Sequence, residues 1–320
     1  MPKVMIGPAP LARLQGDFLT VLGNAGFEFV YPKVAVQMTE QDLLDQLNGI
    51  PASLAGSEPY TRKVFEKFPQ LKVVARVGVG YDAVDVQAAT DHGVVVTIAP
   101  GTNQDAVAEH CFMLILALAK NLMRQHQPIR DGKWPRQANL PLRGKTLGIV
   151  GLGRIGKSMT TRALAFGMTV IAHRRTAQPS PVPGVELVDF DALLARSDHL
   201  VIAAPATRET HHVIDRGALA RTQRGVHLVN VARGDLVDQD ALRAALDEGQ
   251  VSLASLDTVS PEPLPAGHWL FTHPRVRLSP HCSWSSPGAL DRLLDPFLAN
   301  LARFLEGSPL EEMVDVELGY

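Results

Sequence analysis

Short apolar runs punctuate the first hundred positions, at KVMIG, FEFVY, LKVVARVG and GVVVTIA, with helix-like stretches such as EQDLLDQLNG and PYTRKVFEKFP between them. Such alternation predicts strands joined by helical crossovers, and hence a parallel sheet. Residues 103–125, NQDAVAEHCFMLILALAKNLMRQ, are apolar around most of a helical circumference and predict one long buried helix capped by Asn103. The polar, proline-containing RDGKWPRQANLPLRGK that follows reads as a surface linker. From Thr146 the alternation resumes through TLGIV, TVIAHR, HLVIAAP, VHLVNVA, VSLASLD and RVRLSPH, predicting a second parallel sheet of five or six strands. The amphipathic PGALDRLLDPFLANLARFLEG, with an end signal at Gly307, predicts a last helix that returns to the first domain. The expected class is α/β, with two doubly wound parallel-sheet domains: residues 1–99 with 287–320, and residues 100–286 inserted between them.

Composition narrows the class of partner. A chain of 320 residues with 46% hydrophobic content can bury two cores. A net charge of −2 and a pI near 6.6 argue against binding nucleic acid or an acidic membrane by bulk charge, so small molecules are expected. Cys111 and Cys282 are too few for a disulfide framework and predict a reducing compartment. The N-terminal apolar run is too short for a secretory signal, and Cys111 to Ala119 is too short to span a bilayer. A cytoplasmic protein with no membrane partner is therefore expected. Of eleven histidines none forms HExxH, and His211 and His212 cannot both face one ion from a regular helix, so no metal site is expected.

The strongest local signal is Gly151-Leu152-Gly153-Arg154-Ile155-Gly156, set between the apolar LGIV and a helix-like stretch. Glycines at these places allow a tight turn, close approach of the backbone to a pyrophosphate, and close helix–strand packing. The helix N-terminus then offers free N–H groups to the anion. About 20 residues on, a dinucleotide-binding fold often carries an acid that holds the ribose. Here VIAHRRT places Arg174 and Arg175 there, with Thr176 beside them, and a planar guanidinium favours a 2′-phosphate instead. NADP(H) is the expected cofactor, with NAD(H) as a second possibility.

Three later strand ends carry polar groups where open parallel sheets bind ligands. VNVARGD offers Arg233, SLDTVSPEP offers Asp257 and Glu262, and LSPHCSW offers His281. A cationic fork, a carboxylate and an imidazole suit hydride transfer to a 2-keto acid. Arg233 clamps carboxylate and carbonyl oxygen, His281 passes a proton to the developing alkoxide, and Glu262 holds the ring and favours its protonated form.

These residues carry a resemblance. RVGVGYDAVD, NQDAVAEH, GKTLGIVGLGRIG, AAPATRETHHVID, VNVARGDLVD, LDTVSPEP and SPHCSW occur in the order found in the D-isomer-specific 2-hydroxyacid dehydrogenase family, over nearly the whole chain. The resemblance implies a Rossmann cofactor domain inserted into a flavodoxin-like substrate domain, and Arg233, Glu262 and His281 as the catalytic set. It implies cofactor contacts from Gly151, Gly153, Arg154, Ile155 and Gly156 in the turn, from Pro205 and Thr210 beside the adenosine half, from Asp257 near the nicotinamide, and from Ala232. The substrate carboxylate is expected at Val79 and Gly80, where glycines free consecutive N–H groups. A homodimer and closure on a small 2-keto or 2-hydroxy acid are further implications.

The chain departs from the family at two places, Ser260 and Cys282, and Val79 argues against one activity found within it. Ser260 stands where relatives often carry an acid, leaving Glu262 as the only carboxylate of VSPEP. Cys282 replaces a frequent aliphatic residue and reads as a small filler. Val79 stands where phosphite-oxidising relatives carry a lysine. Trp134, Trp269 and Trp284 read as packing or interface residues rather than substrate contacts, with lining of the pocket a second reading for Trp284, three positions beyond His281. The expected activity is a 2-keto acid reductase of the glyoxylate or hydroxypyruvate type. Its rivals are a 3-phosphoglycerate dehydrogenase, though the sequence ends at Tyr320 without the regulatory domain many of those carry, and a nucleotide-sensing binding protein on the same fold.

Overall fold

The computed structural model describes residues 1–8, 23–24, 26–34, 37–175 and 182–314; Thr176 lies outside them. The chain divides into two compact units, Met1–Asn103 with Ser286–Tyr320, and Gln104–Ser285.

In the first unit β1 (Lys3–Ile6), β2 (Glu28–Val30), β3 (Ala52–Ala55), β4 (Val73–Arg76) and β5 (Val95–Thr97) form a parallel sheet in the order β2-β1-β3-β4-β5. This is the flavodoxin-like order, whose winding reverses between β1 and β3. Strand alternation sends Met5, Val74 and Val96 to one face, against Leu43, Val64 and Phe65. Val4, Ile6, Leu54, Val73 and Ala75 go to the other, where Leu294, Phe297 and Leu301 of the helix Pro287–Glu306 cover them. That helix ends at Gly307 (φ +68°), as its sequence predicts. β3 was not among the expected strands: ASLA has small residues and no β-branched side chain, yet all four are buried.

The second unit holds β6 (Thr146–Val150), β7 (Thr169–His173), β8 (Val185–Leu187), β9 (His199–Ile202), β10 (Val226–Asn230), β11 (Val251–Leu256) and β12 (Val276–Leu278). Their order is β12-β11-β10-β9-β6-β7-β8, all parallel. Two three-strand halves wind outward from the β6–β9 junction, the Rossmann arrangement, with β12 added at one edge. The sheet thus has seven strands rather than five or six, because the three-residue VEL is too short to show a period. Several crossover helices begin on aspartates, Asp189, Asp215 and Asp238, whose side chains accept from N–H groups three residues on.

The single helix expected over 103–125 is two, Gln104–Ala119 and Leu122–Arg130, bent by 62°. Asn121 lies between them in the left-handed region (φ +51°), a conformation asparagine tolerates better than most residues. Its Nδ2 donates to the Ala138 carbonyl, and Leu140 N–H donates to the Ala119 carbonyl, so the linker ties off the first helix. Among the described residues no single helix is long and apolar enough to cross a membrane. The first of the pair packs Val107, Cys111, Phe112 and Ile115 into one face of the seven-stranded sheet.

Candidate active site

β6 delivers the glycine turn at the β6–β9 junction, where such sheets open a crevice at their carboxyl ends. Gly151 has φ +98°, and a Cβ there would lie 2.9 Å from the Ala203 carbonyl oxygen and from Ala204. At Gly156 a Cβ would lie 2.5 Å from the Gly151 carbonyl oxygen, so the turn could not fold back on the helix Arg154–Ala165. Gly153 differs: its φ is −81°, and a Cβ would meet nothing within 4 Å. Glycine here keeps open a space that no atom of the described residues fills, directly before a helix whose first N–H groups, at Arg154 and Ile155, have no intrahelical acceptors. A space bounded by backbone donors fits a dinucleotide pyrophosphate.

The neighbouring strand ends complete this half. Arg174 and Arg175 directly follow β7, Arg174 half-buried and Arg175 exposed, and Arg175 Nη1 lies 3.2 Å from Glu209 Oε2. After β9, Thr210 Oγ1 donates to the Pro205 carbonyl at 2.7 Å and accepts from Thr207 N–H at 2.8 Å, which fixes the turn.

β10, β11 and β12, adjacent in the sheet, bring the other candidates to one edge. Asn230, the last residue of β10, is a hub: its Oδ1 accepts from Ala232 N–H, its Nδ2 donates to the Arg233 carbonyl, and its own carbonyl accepts from Asp257 N–H. Arg233 is thereby held in an extended conformation (φ −143°, ψ 148°). The following Gly234 packs so closely on the loop bearing Glu262 that a Cβ would lie 2.0 Å from the Val259 carbonyl carbon.

Glu262 and His281 meet directly. Glu262 Oε2 lies 2.8 Å from His281 Nδ1, and Oε1 accepts from Val259 N–H at 2.9 Å. Both side chains are about one-quarter exposed, 27% and 26%. His281 has φ +49°, in the left-handed region. Its N–H donates to the Asp257 carbonyl at 2.8 Å, and its carbonyl accepts from Trp284 Nε1 at 2.9 Å. With Nδ1 committed to the carboxylate, Nε2 is the ring atom left to exchange a proton.

Asp257 is 1% exposed. Burial alone would raise its pKa. The Ser279 hydroxyl, Ser283, and the Cys282 N–H outweigh that and hold it below the ordinary carboxylate value. His110 Nε2 lies 2.9 Å from Ser279 Oγ and 3.6 Å from Asp257 Oδ1. No role was expected for Ser279, His110 or Asn230, and their only signal was position, inside motifs whose other members drew attention. His110, Asp257 and Cys282 place one donor atom each within 4.8 Å of one another, but the carboxylate is already engaged by Ser279, Cys282 and Ser283. Burial raises the Cys282 pKa, with the Asp257 charge adding to it, so its sulfur is a thiol rather than a nucleophilic thiolate.

In the first unit, Val79 and Gly80 lie just beyond β4. Among the described residues the N–H groups of Gly78, Val79, Gly80 and Tyr81 donate no hydrogen bond. Successive free backbone donors form an anion-binding concavity.

Residues 112–283 match the family model described as D-isomer specific 2-hydroxyacid dehydrogenase, NAD binding domain. The chain is 36% identical over 265 residues to a glyoxylate reductase of Thermofilum pendens, covering 80% of this chain and 78% of the relative. It is also 36% identical over 286 residues to a D-3-phosphoglycerate dehydrogenase of Bacillus subtilis, covering 88% of this chain but 54% of the relative, about half its length. The crystal structure of an NAD-dependent formate dehydrogenase from Staphylococcus aureus in complex with NAD aligns with a TM-score of 0.88 at 30% identity, covering 99% of each chain.

Proposed function

The chain belongs to the D-isomer specific 2-hydroxyacid dehydrogenase family, and on that premise we propose that it reduces a small 2-keto acid of the glyoxylate or hydroxypyruvate type to the D-hydroxy acid, with NADPH preferred and NADH accepted. The observation that carries this reading is the 2.8 Å pairing of His281 Nδ1 with Glu262 at one edge of the sheet that also bears Arg233. The N–H groups of Val79 and Gly80 take the substrate carboxylate. Arg233 holds the carbonyl oxygen and gains as negative charge develops there. His281, held by Glu262, donates the proton from Nε2 to that oxygen. Gly151, Gly153, Arg154, Ile155 and Gly156 seat the pyrophosphate, Pro205 and Thr210 flank the adenosine half, and Ala232 and Asp257 face the nicotinamide. When bound, the nicotinamide supplies the hydride.

The NADPH preference is supported by Arg174 and Arg175 after β7, where a ribose-holding acid is absent. A homodimer belongs to the same reading. It is supported by the large apolar side chains Met113, Leu122, Met123, Ile129, Trp134 and Leu140, all exposed within one stretch of the sequence, which pairing of two copies would bury. The free thiols Cys111 and Cys282 support a reducing, cytoplasmic setting. The test is NADPH oxidation with glyoxylate, hydroxypyruvate, pyruvate and 3-phosphohydroxypyruvate. Glyoxylate or hydroxypyruvate is expected to give the highest kcat/KM; a clear preference for the phosphorylated acid favours the phosphoglycerate alternative, and no turnover favours a binding protein.

A further inference from the structure

Beneath the donor loop after β4 lie two buried ionisable side chains to which the proposed reaction gives no part. Arg76, the last residue of β4, is 5% exposed, and Glu58, three residues beyond β3, is 1% exposed. Burying a guanidinium is costly unless it is paired and hydrogen-bonded, because the charge gives up its hydration. The Arg76 Nε donates to the Gly80 carbonyl at 2.9 Å. The Glu58 carboxylate accepts from Gly56 N–H and occupies the space beside Gly7 and Gly56, where a Cβ would lie 3.0–3.3 Å from its carboxyl atoms. Burial raises the Glu58 pKa above the ordinary carboxylate value, opposed in part by hydrogen bonding to backbone and by the Arg76 charge.

The loop itself has little to hold it. Gly78 has φ +140°, and Val79 and Gly80 are only half-buried. Its backbone is tied at two carbonyls: Gly78, which accepts from Ala99 N–H at 2.9 Å, and Gly80, which accepts from Arg76. In a trans peptide C=O and N–H point in opposite directions. Tying the Gly78 carbonyl therefore turns the Val79 N–H away from Ala99, and tying the Gly80 carbonyl turns the Tyr81 N–H away from Arg76. The two ties thus fix the directions of donors that bind nothing among the described residues.

We propose that Arg76 is a positioning residue for the substrate: its buried guanidinium anchors the Gly80 carbonyl, fixing the far end of the loop that Ala99 fixes at Gly78, and so holds the N–H groups of residues 79–81 as a preformed cradle for the substrate carboxylate. This rests on the reading that the loop takes the carboxylate. Arg76 does not touch substrate. It acts by removing the loop's freedom before binding, and its positive charge beneath the cradle adds attraction for an anion.

The experiment uses the full chain with NADPH and compares glyoxylate with its neutral amide, in wild type, Arg76→Met and Arg76→Lys. NADPH affinity is read separately by fluorescence titration. Wild type should prefer the anion strongly. In Arg76→Met the KM for glyoxylate should rise about 10-fold or more, the worth of one charge-assisted hydrogen bond, while kcat changes by less than about 3-fold and NADPH affinity stays level. Arg76→Lys keeps the charge but not the planar fork, and should fall between. Arg76→Lys alone decides the matter if Arg76→Met does not fold, and an unchanged KM in it then overturns the proposal. KM unchanged in Arg76→Met, or KM, kcat and NADPH affinity worsening together, overturns it as well. A wild type indifferent to the substrate's charge would instead overturn the carboxylate reading on which the proposal rests.

Discussion

His281 reaches its place through a backbone conformation few side chains adopt, and the hydrogen bonds around it over-determine that conformation: Asp257 holds its N–H, Trp284 its carbonyl and Glu262 its ring. Replacing it with alanine should leave NADPH binding near wild type while kcat for keto acid reduction drops about 10²–10⁴-fold, the usual worth of a positioned acid. Equal loss of both would mean that the loop has moved. Gly234 makes a sharper test of geometry. Its α-carbon faces the backbone of Val259 and Ser260, so even a methyl group must push apart the segments bearing Arg233 and Glu262. Gly234→Ala should therefore lower kcat/KM by at least about 10-fold although it removes no functional group; steady-state kinetics with a thermal melt separates this from unfolding. For the cofactor, Arg174→Asp should reduce kcat/KM with NADPH roughly 10- to 150-fold and leave NADH little changed, as expected for one charged hydrogen bond to a 2′-phosphate. A variant that keeps its NADPH preference would refute the role given to the arginines.

Across neighbouring strands, β9, β10 and β11 carry a buried polar chain unrelated to the reaction. His199 and His227 are register partners with Nδ1 atoms 3.1 Å apart, and His227 Nε2 lies 2.8 Å from Ser255 Oγ. Burial pushes the His199 pKa down to about 4, with Lys145 helping and Asp198 opposing. It pushes His227 well below its ordinary value, the neighbouring His199 adding to the effect. Both rings are therefore neutral in the folded protein, whereas the unfolded chain takes up protons below about pH 6.5. The stability they permit is complete above about pH 6.5 and is lost as pH falls from there toward 4, at up to about 1.4 kcal/mol per pH unit for His199, with His227 acting in the same direction. Melting temperatures between pH 7 and 4.5 should fall steeply in wild type and less steeply in His199→Gln/His227→Gln; parallel curves would show that other groups set the acid limit. Strands of this kind, carrying Val, Leu or Ile at half or more of their positions, are legible from sequence. Ala52–Ala55 and Val185–Leu187 are not, since a short or small-residue strand owes its existence to the neighbours it pairs with. The break at Asn121 is hidden for a similar reason: the apolar pattern runs through it, and what stops the helix is the return of residues 138–140.

At the scale of the molecule, an interrupted first domain with a continuous second one inserted into it was legible because the glycine turn marks the start of a new sheet and the final amphipathic helix needs an apolar face to cover. Arg233, Glu262 and His281 were legible as the ends of successive strands; Asn230, Ser279 and His110, which hold those ends in place, were not, because an asparagine, a serine or a helical histidine has no meaning until its partners are known. The discontinuity also orders events on the ribosome. β1, β3 and β4 emerge early, but Leu294, Phe297 and Leu301, which cover Val4, Ile6 and Leu54, follow only after the whole of the second unit. Between Asn103 and Glu306 lie about 200 residues, so at roughly 5–20 residues per second one apolar sheet face waits on the order of 10–40 s for its lid. Chains stalled before residue 287 should therefore present a finished nucleotide-binding unit alongside an unfinished, chaperone-dependent one, and retention of arrested chains on a holdase should end once residues 287–306 are exposed.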